Sequence, residues 1–380
     1  MGRMVIVGAG IIGTMHAVAA RRAGWEVVHL DRDLEPRSAS VRNFGLVWIS
    51  GRAEGDELRV ALRARSLWEE IAAEAPSVCF RPDGSITVAQ LPEEVAVLEQ
   101  VMARPDAAER GFRLLDPDEV RIVNPALRGE MLAGLHCRTD AVVEPRAVLP
   151  ALRAWLAAEA AEADTGGTRS YTFHGGRTVH EIGPGSVVDG AGERHRGDVV
   201  VVCPGAERQG PIAELLDDAP VRPVQLQMLQ TAPLDERLTT SVADGDSLRY
   251  YPAFAVPALA ALPPQAPVAA EHHMQLLISQ RADGQLTVGD THTYEEPFDF
   301  ATSGAPEAHL RARAQSILGR ALPPIVRRWT GVYSQCLDQS ICHRRQVELG
   351  VWIVTGPGGR GMTLSPAIAE ETLAQIGAPA

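Results

Sequence analysis

The stretch Met4 to Asp31 constrains this chain more than any other. Val5, Ile6 and Val7 form a short apolar run ending at Gly8, the pattern of a strand buried on both faces. Gly8, Gly10 and Gly13 then give G-x-G-x-x-G. Ala17, Ala19 and Ala20 suit a helix, and Gly24 stands where a helix C-cap belongs. Val27, Val28 and Leu30 make a second strand, closed by Asp31. Each glycine has a task. Gly8 permits the tight turn, Gly10 lets a diphosphate approach the backbone, and Gly13 lets the helix press on the sheet. The free amides at Ile11 and Ile12 face the phosphates. Asp31, beside Arg32, is at the distance from Gly13 that suits hydrogen bonds from a ribose. Strand, glycines, helix and acid together point to a dinucleotide.

At 380 residues, two domains are the default. The net charge of −12, with acids and bases interspersed, argues against nucleic acid and against an anionic membrane surface. All 36 basic residues are arginine, so no lysine can act as a Schiff base or general base. Cys79, Cys137, Cys203, Cys336 and Cys342 are scattered, without a C-x-x-C pair, which fits a reducing cytoplasm and no structural metal. The N-terminus enters a strand at once, leaving no room for a signal peptide. The apolar stretch Tyr250 to Ala270 carries five prolines and cannot span a membrane as a helix.

Along the chain, Arg42-Asn43-Phe44-Gly45 is a polar run before apolar Leu46 to Ile49. It is read either as the partner of a flavin ring or as a loop tied down by its own backbone bonds. Leu58, Leu62, Leu67 and Ile71 predict a helix over 56–75. Cys79 to Gln90 reads as a hairpin about Asp83-Gly84. Helices are expected over 93–102, 117–123, from Pro145 to 159, and over 305–318. Short strands are expected over 168–197, and a buried strand over 198–203. Val221 to Leu229 and Gln275 to Gly289 read as strands of a sheet exposed on one face. After the buried strand Val351 to Val354, Gly356, Gly358, Gly359 and Gly361 form a loop where amides can converge. Ser365 and Pro366 suit the N-cap and first residue of a helix over 367–376. The expected fold is α/β: a Rossmann-like domain (1–80, 141–217 and 326–380) with an interleaved α+β domain on an antiparallel or mixed sheet (81–140 and 218–325).

The opening GAGIIG with Asp31, the strand DVVVVCPGA, Trp329-Thr330-Gly331 and the closing GPGGRGMTLSP together resemble the FAD-dependent amine oxidases, the group of D-amino-acid, glycine and sarcosine oxidases. SVRNFGLVW with TGPGGRGMTLSP is similar to a clade associated with aminophosphonate breakdown. The resemblance implies FAD. Gly8, Gly10, Gly13 and Asp31 would hold its ADP half, with Val179 near adenine and Gly205 on the diphosphate side. Arg42, Asn43, Phe44 and Gly45 would approach the ring. Gly356, Gly358, Gly359, Arg360, Gly361, Met362 and Thr363 would hold it. Tyr333 stands where these oxidases carry a carboxylate-binding arginine, which puts a plain α-amino acid in doubt. The oxygen-activating lysine of the sarcosine-oxidase-like members has no counterpart, so an arginine or another acceptor replaces it. Cys336 lies near a region of covalent flavin attachment and is read as a buried structural thiol.

The reaction this implies is oxidation of a small, anionic amine, with O2 or another acceptor and an imine that hydrolyses. Arg42, Arg249, Arg345 and Arg360 are the candidate anion binders, with Tyr250, Tyr251 and Tyr333 as hydroxyl donors. His272, His273, His292 and His343 are read as structural. The rivals are a flavin-dependent dehydrogenase of a hydroxy acid or glycerol phosphate, an NAD-dependent dehydrogenase and a non-catalytic flavoprotein.

Overall fold

The computed structural model describes residues 2–163 and 170–378. Its first sheet has six strands, in the order 343–348, 351–355, 199–202, 3–7, 26–31, 171–175. All neighbours run parallel except the first pair. The opening run and the Val199–Val202 run are fully apolar because both of their faces are covered. On one face lie the helices Ile11–Arg22, Asp56–Glu74, Val148–Ala163 and Gly361–Ile376, closing a core that contains Ile6, Met15, Trp68, Leu152 and Ile368. On the other, a three-stranded antiparallel sheet (179–183, 186–189, 194–196) buries Val187 against Val5, Val200 and Val202.

The second sheet has eight strands, in the order 325–336, 221–233, 285–289, 277–280, 241–243, 85–89, 133–137, 112–115. It is mixed, since 85–89 and 241–243 pair in parallel. Strand Ile325–Cys336 belongs to it along its length, so the sequence boundary at 326 separates that strand from its partner Val221–Pro233. Buried Asp140 ties the Ile49–Ser50 segment to strand Ser85–Ala89 of the second sheet. Its carboxylate accepts from Ile49 N, Ser50 N and Oγ, and Ser85 Oγ at 2.5–3.0 Å. Four donors offset the desolvation of one acid.

Several local expectations change. The hairpin about Asp83-Gly84 does not form. Ser85–Ala89 is one strand whose two edges are taken by remote strands, 133–137 and 241–243. The helix expected from Pro145 begins at Val148. The strand Val221–Pro233 is not exposed on one face: Gln225, Gln230 and Thr231 are buried, and so are Ser279 and Thr287 on its sheet neighbours. Helix Gly304–Leu318 supplies part of the apolar layer over that sheet. The final helix starts at Gly361, so Ser365 is no cap and Pro366 lies inside it. The strand set expected from 168 begins in residues outside those described. Within them, Tyr171–Gly175 joins the six-stranded sheet instead of the small one. The one cluster of possible metal-ligating side chains among the described residues, Asp189, Glu193 and His195, already contains a cation, since Arg177 lies 3.1 Å from Asp189.

Candidate active site

One cleft of about 1800 Å³ is lined by residues of both sheets. At one end lie Gly8, Gly10, Ile11, Ile12, Asp31 and Arg32, with Val179 and Gly205 beside them. A Cβ on Gly8 (φ +99°) would stand 2.2 Å from the Cys203 carbonyl, and one on Gly13 would stand 1.8 Å from the Gly8 carbonyl. These two glycines therefore serve turn and packing. Gly10 differs, because a Cβ there meets only Ser40 Oγ, at 3.2 Å. Its surface faces the cleft. Ser40 Oγ accepts from Ile11 N at 2.9 Å, a remote cap on the helix that the sequence reading missed. Asp31 accepts from Ala9 N and Asp33 N at 2.6 and 2.8 Å, so its carboxylate also holds the turn. Arg32 is ion-paired with Glu207.

In the middle, the Arg42–Gly45 loop lines the cleft through Arg42, Asn43 and Phe44, while its polar groups are tied within the protein. Arg42 donates to the carbonyls of Arg37 and Thr330 at 2.6 and 2.7 Å. Asn43 bridges Ala39 O, Ser40 O and Gly45 N. A Cβ on Gly45 would lie 2.1 Å from Val143 O, so this glycine packs and does not line the cleft. Arg281, missed in the sequence, donates from the second sheet to Asn43 O and Phe44 O at 2.9 and 2.8 Å. Burial pulls its pKa down to about 10, so it stays charged at neutral pH. Opposite, Gly358, Gly359, Arg360, Gly361, Met362 and Thr363 line the cleft, and Gly356 packs against Cys336. Thr363 Oγ1 accepts from Trp48 N and donates to Leu46 O, at 2.9 and 3.2 Å. The first turn of the last helix thus meets the cleft five residues earlier than a Ser365 cap suggested. Burial pushes the Cys336 thiol up to about 11, so it is protonated at neutral pH.

The far end is aromatic. Tyr250 stacks on His292 with centroids 4.6 Å apart, and Tyr251 meets Tyr250 edge-on at 5.0 Å. A Cβ on Gly359 would lie 3.9 Å from the hydroxyls of both Tyr250 and Tyr333. Asp290, His292 and Tyr294 alternate along an extended segment and all line the cleft, so alternation was the signal available in the sequence. Burial raises the tyrosine pKa values, which keeps these phenols protonated.

The sequence-nominated arginines separate here. Arg249 reaches the cleft but pairs with Asp246 at 3.6 Å and donates to Pro263 O. Arg345 lies outside the cleft, exposed on strand His343–Glu348. Arg360 donates to Pro357 O and Ser340 O and lies 3.4 Å from Glu57. Arg52, which was not nominated, is buried in the cleft wall. It lies 3.3 Å from Glu57 and 5.6 Å from the centre of the Tyr251 ring. Arg52, Arg360 and Glu57 leave one net positive charge there. No C-x-x-C signal or charge run marks Arg52; only the fold of the Trp48–Glu57 segment brings it in.

These features fit a long dinucleotide carrying a ring system. Gly10 leaves backbone bare to the cleft, and the first residues of two helices, Ile11 and Ile12 and Gly361 and Met362, line the same space, although the Ile11 amide itself is taken by Ser40. Trp48 Nε1 is buried without a partner in the cleft wall, as a group awaiting a polar ligand is.

The comparisons agree. Residues 3–375 match the FAD dependent oxidoreductase family, DAO. A curated relative, the tRNA 5-methylaminomethyl-2-thiouridine biosynthesis bifunctional protein MnmC of Polaromonas naphthalenivorans, is 22% identical over 98% of this chain. The chain spans 56% of that protein's length. Among solved structures, glycine oxidase from Bacillus cereus is 17% identical with a TM-score of 0.75, covering 98% of this chain and 94% of its own. L-proline dehydrogenase from P. horikoshii is 18% identical with a TM-score of 0.76, covering 99% and 93%. At such identity these two likenesses speak for the fold. The family match extends over nearly the whole chain, from the first strand to the last helix. This chain belongs to the FAD-dependent oxidoreductase family.

Proposed function

We propose that this protein oxidises the C–N bond of a small primary or secondary amine that carries an anionic group, such as an aminophosphonate or amino acid. The observation that carries the reading is the single cleft joining the Gly8–Ile12 turn to the tyrosine-lined wall. Gly10, Ile11, Ile12 and Asp31 would hold the ADP half of FAD. Phe44, Trp48 and Gly358 to Thr363 would hold the ring. When bound, FAD supplies the group that accepts the hydride from the carbon beside the amine.

The chain's own residues then orient the substrate and exclude water. Tyr250, Tyr251 and Tyr333 wall off the reacting carbon from solvent, and their phenols stay protonated as donors. The imine product hydrolyses after release. Arg52 is the best-placed anion binder: its side chain is 4% exposed with Nε unpartnered, and the low dielectric there strengthens a charge-assisted bond to an anion. Arg249 Nε is unpartnered too, but its side chain is 28% exposed and already donates to Pro263 O, so the role moves to the more deeply buried Arg52. O2 is the proposed acceptor, with an arginine in place of the missing lysine. The five cysteines are free, which favours a cytoplasmic setting.

The test is anaerobic mixing of the purified holoprotein with amines, amino acids and aminophosphonates. Loss of flavin absorbance with an anionic amine, and peroxide on readmitting air, are expected. Reduction by hydroxy acids or glycerol phosphate alone would replace this reading with the dehydrogenase one.

A further inference from the structure

Buried acids in this chain have compensation. Asp106 has Arg104 and Arg110, Glu57 has Arg52 and Arg360, and Asp140 has its four donors. Asp290 is the exception in the cleft. It is 5% exposed, and no arginine is paired with it among the described ion pairs. Its neighbours are distant: Gln275 Nε2 at 3.5 Å and His292 Nε2 at 3.8 Å. Gln275, also buried, turns its Nε2 to Asp290 and Tyr251, which leaves Oε1 without a partner. Both residues line the cleft, beside the stacked Tyr250–His292 pair and Tyr294. His292 Nδ1 faces the His273 carbonyl at 3.0 Å, so Nδ1 carries a proton and Nε2 is the nitrogen left towards Asp290. A carboxylate, a spare amide oxygen and aromatic faces accept from a ligand; they have little to donate. Their complement is a cation with several N–H donors.

We propose that Asp290, with Gln275 beside it, seats the substrate's ammonium group and takes one proton from it. The proposal rests on the amine reading above and names the residues that recognise the amine end. In the step, one N–H bond breaks and one O–H bond forms on Asp290. The electron pair stays on nitrogen, giving the neutral amine that hydride loss requires. Burial already pushes the Asp290 carboxyl up, which makes it a better proton acceptor than an exposed acid. His292, Tyr250, Tyr294 and Tyr333 face the same space, with Arg52 and Arg249 elsewhere in the cleft wall. Arg52 stands over the Tyr251 ring, whose hydroxyl meets Gln275, so the anion and ammonium seats share one wall, as a zwitterion needs.

The test uses tert-butylamine, which has no hydrogen on the carbon beside nitrogen and cannot be oxidised, and its neutral isostere tert-butanol. Each is titrated into FAD-loaded protein at neutral pH, and the dissociation constant is read from the flavin absorbance change. Wild type should bind the ammonium at least about tenfold more tightly than Asp290→Asn, the range of a charge-assisted hydrogen bond, with equal binding of the alcohol. Equal ammonium binding by both proteins, or no preference of wild type for ammonium over alcohol, would overturn the proposal. Should Asp290→Asn lose FAD, Gln275→Leu decides. The backbone bonds between Gln275 and Asp290 survive that change, and ammonium binding should weaken several-fold. Unchanged binding in Gln275→Leu would equally overturn it. Tight ammonium binding with no amine able to reduce the wild type would sink the proposed function and leave the ammonium seat standing.

Discussion

His29 donates from Nε2 to the carbonyl of Gly8 at 3.1 Å, and its Nδ1 accepts from the Tyr171 hydroxyl at the same distance. The carbonyl can only accept, so the partners set the tautomer. The Gly8 turn is thereby held from beneath by a neutral imidazole. Burial lowers the His29 pKa to about 4, and that of His16 to about 4 as well. Both groups bind protons more readily in the unfolded chain, so each contributes stability above pH 6.5 that is lost as pH falls towards 4. The loss is about 3 kcal/mol per histidine at most. Denaturant unfolding of the holoprotein between pH 7 and 4 should show this slope, and His29→Phe should roughly halve it. An unaltered slope in that variant would refute the assignment.

The two glycines of the turn should fail differently. Gly8→Ala forces a Cβ to within 2.2 Å of the Cys203 carbonyl at a positive φ, so it should cost the fold several kcal/mol. Gly10→Val places its side chain in the cleft, so the protein should fold but stay colourless. Circular dichroism with flavin absorbance separates the two outcomes. A yellow Gly10→Val protein would remove Gly10 from the diphosphate site.

Pro366 sits inside the last helix without an N–H for the carbonyl of Met362, four residues back. Trp68 Nε1 donates to that carbonyl at 3.1 Å. Trp68→Phe should therefore cost about 1–2 kcal/mol beyond its lost packing, because the buried acceptor keeps only the long bond from Ser365 Oγ at 3.5 Å. Adding Pro366→Ala, which restores the missing N–H, should recover part of it. Thermal unfolding of the single and double variants checks this, and strict additivity would count against the compensation.

Arg52→Ala should raise KM for an anionic amine about tenfold or more and change that for a neutral amine far less. Arg249→Ala should do less, since that side chain is 28% exposed and donates to Pro263 O. Steady-state kinetics on both substrates tests the ranking, and a larger effect at Arg249 would reverse it.

Much of the cofactor end was legible beforehand. The Val5–Val7 run, the glycines, Asp31 and the late glycine loop each carry their meaning in local spacing, because turn geometry and strand burial are local constraints. The tyrosine-lined wall was not legible in that way. Arg42 and Arg249 looked available for an anion, but remote carbonyls and an adjacent acid occupy them. Arg52 looked ordinary and is buried in the wall. The hairpin at Asp83-Gly84 was lost because two distant strands compete for its edges.

From the amino-acid order alone came the nucleotide-binding half, its parallel strands and its flavin, since short-range periodicity and backbone freedom specify them. That Arg52, Asp290, Gln275 and His292 line one wall was decided only when both sheets closed on one cleft. A polar side chain's role depends on which partners reach it first, and those partners lie tens to hundreds of residues away in the chain.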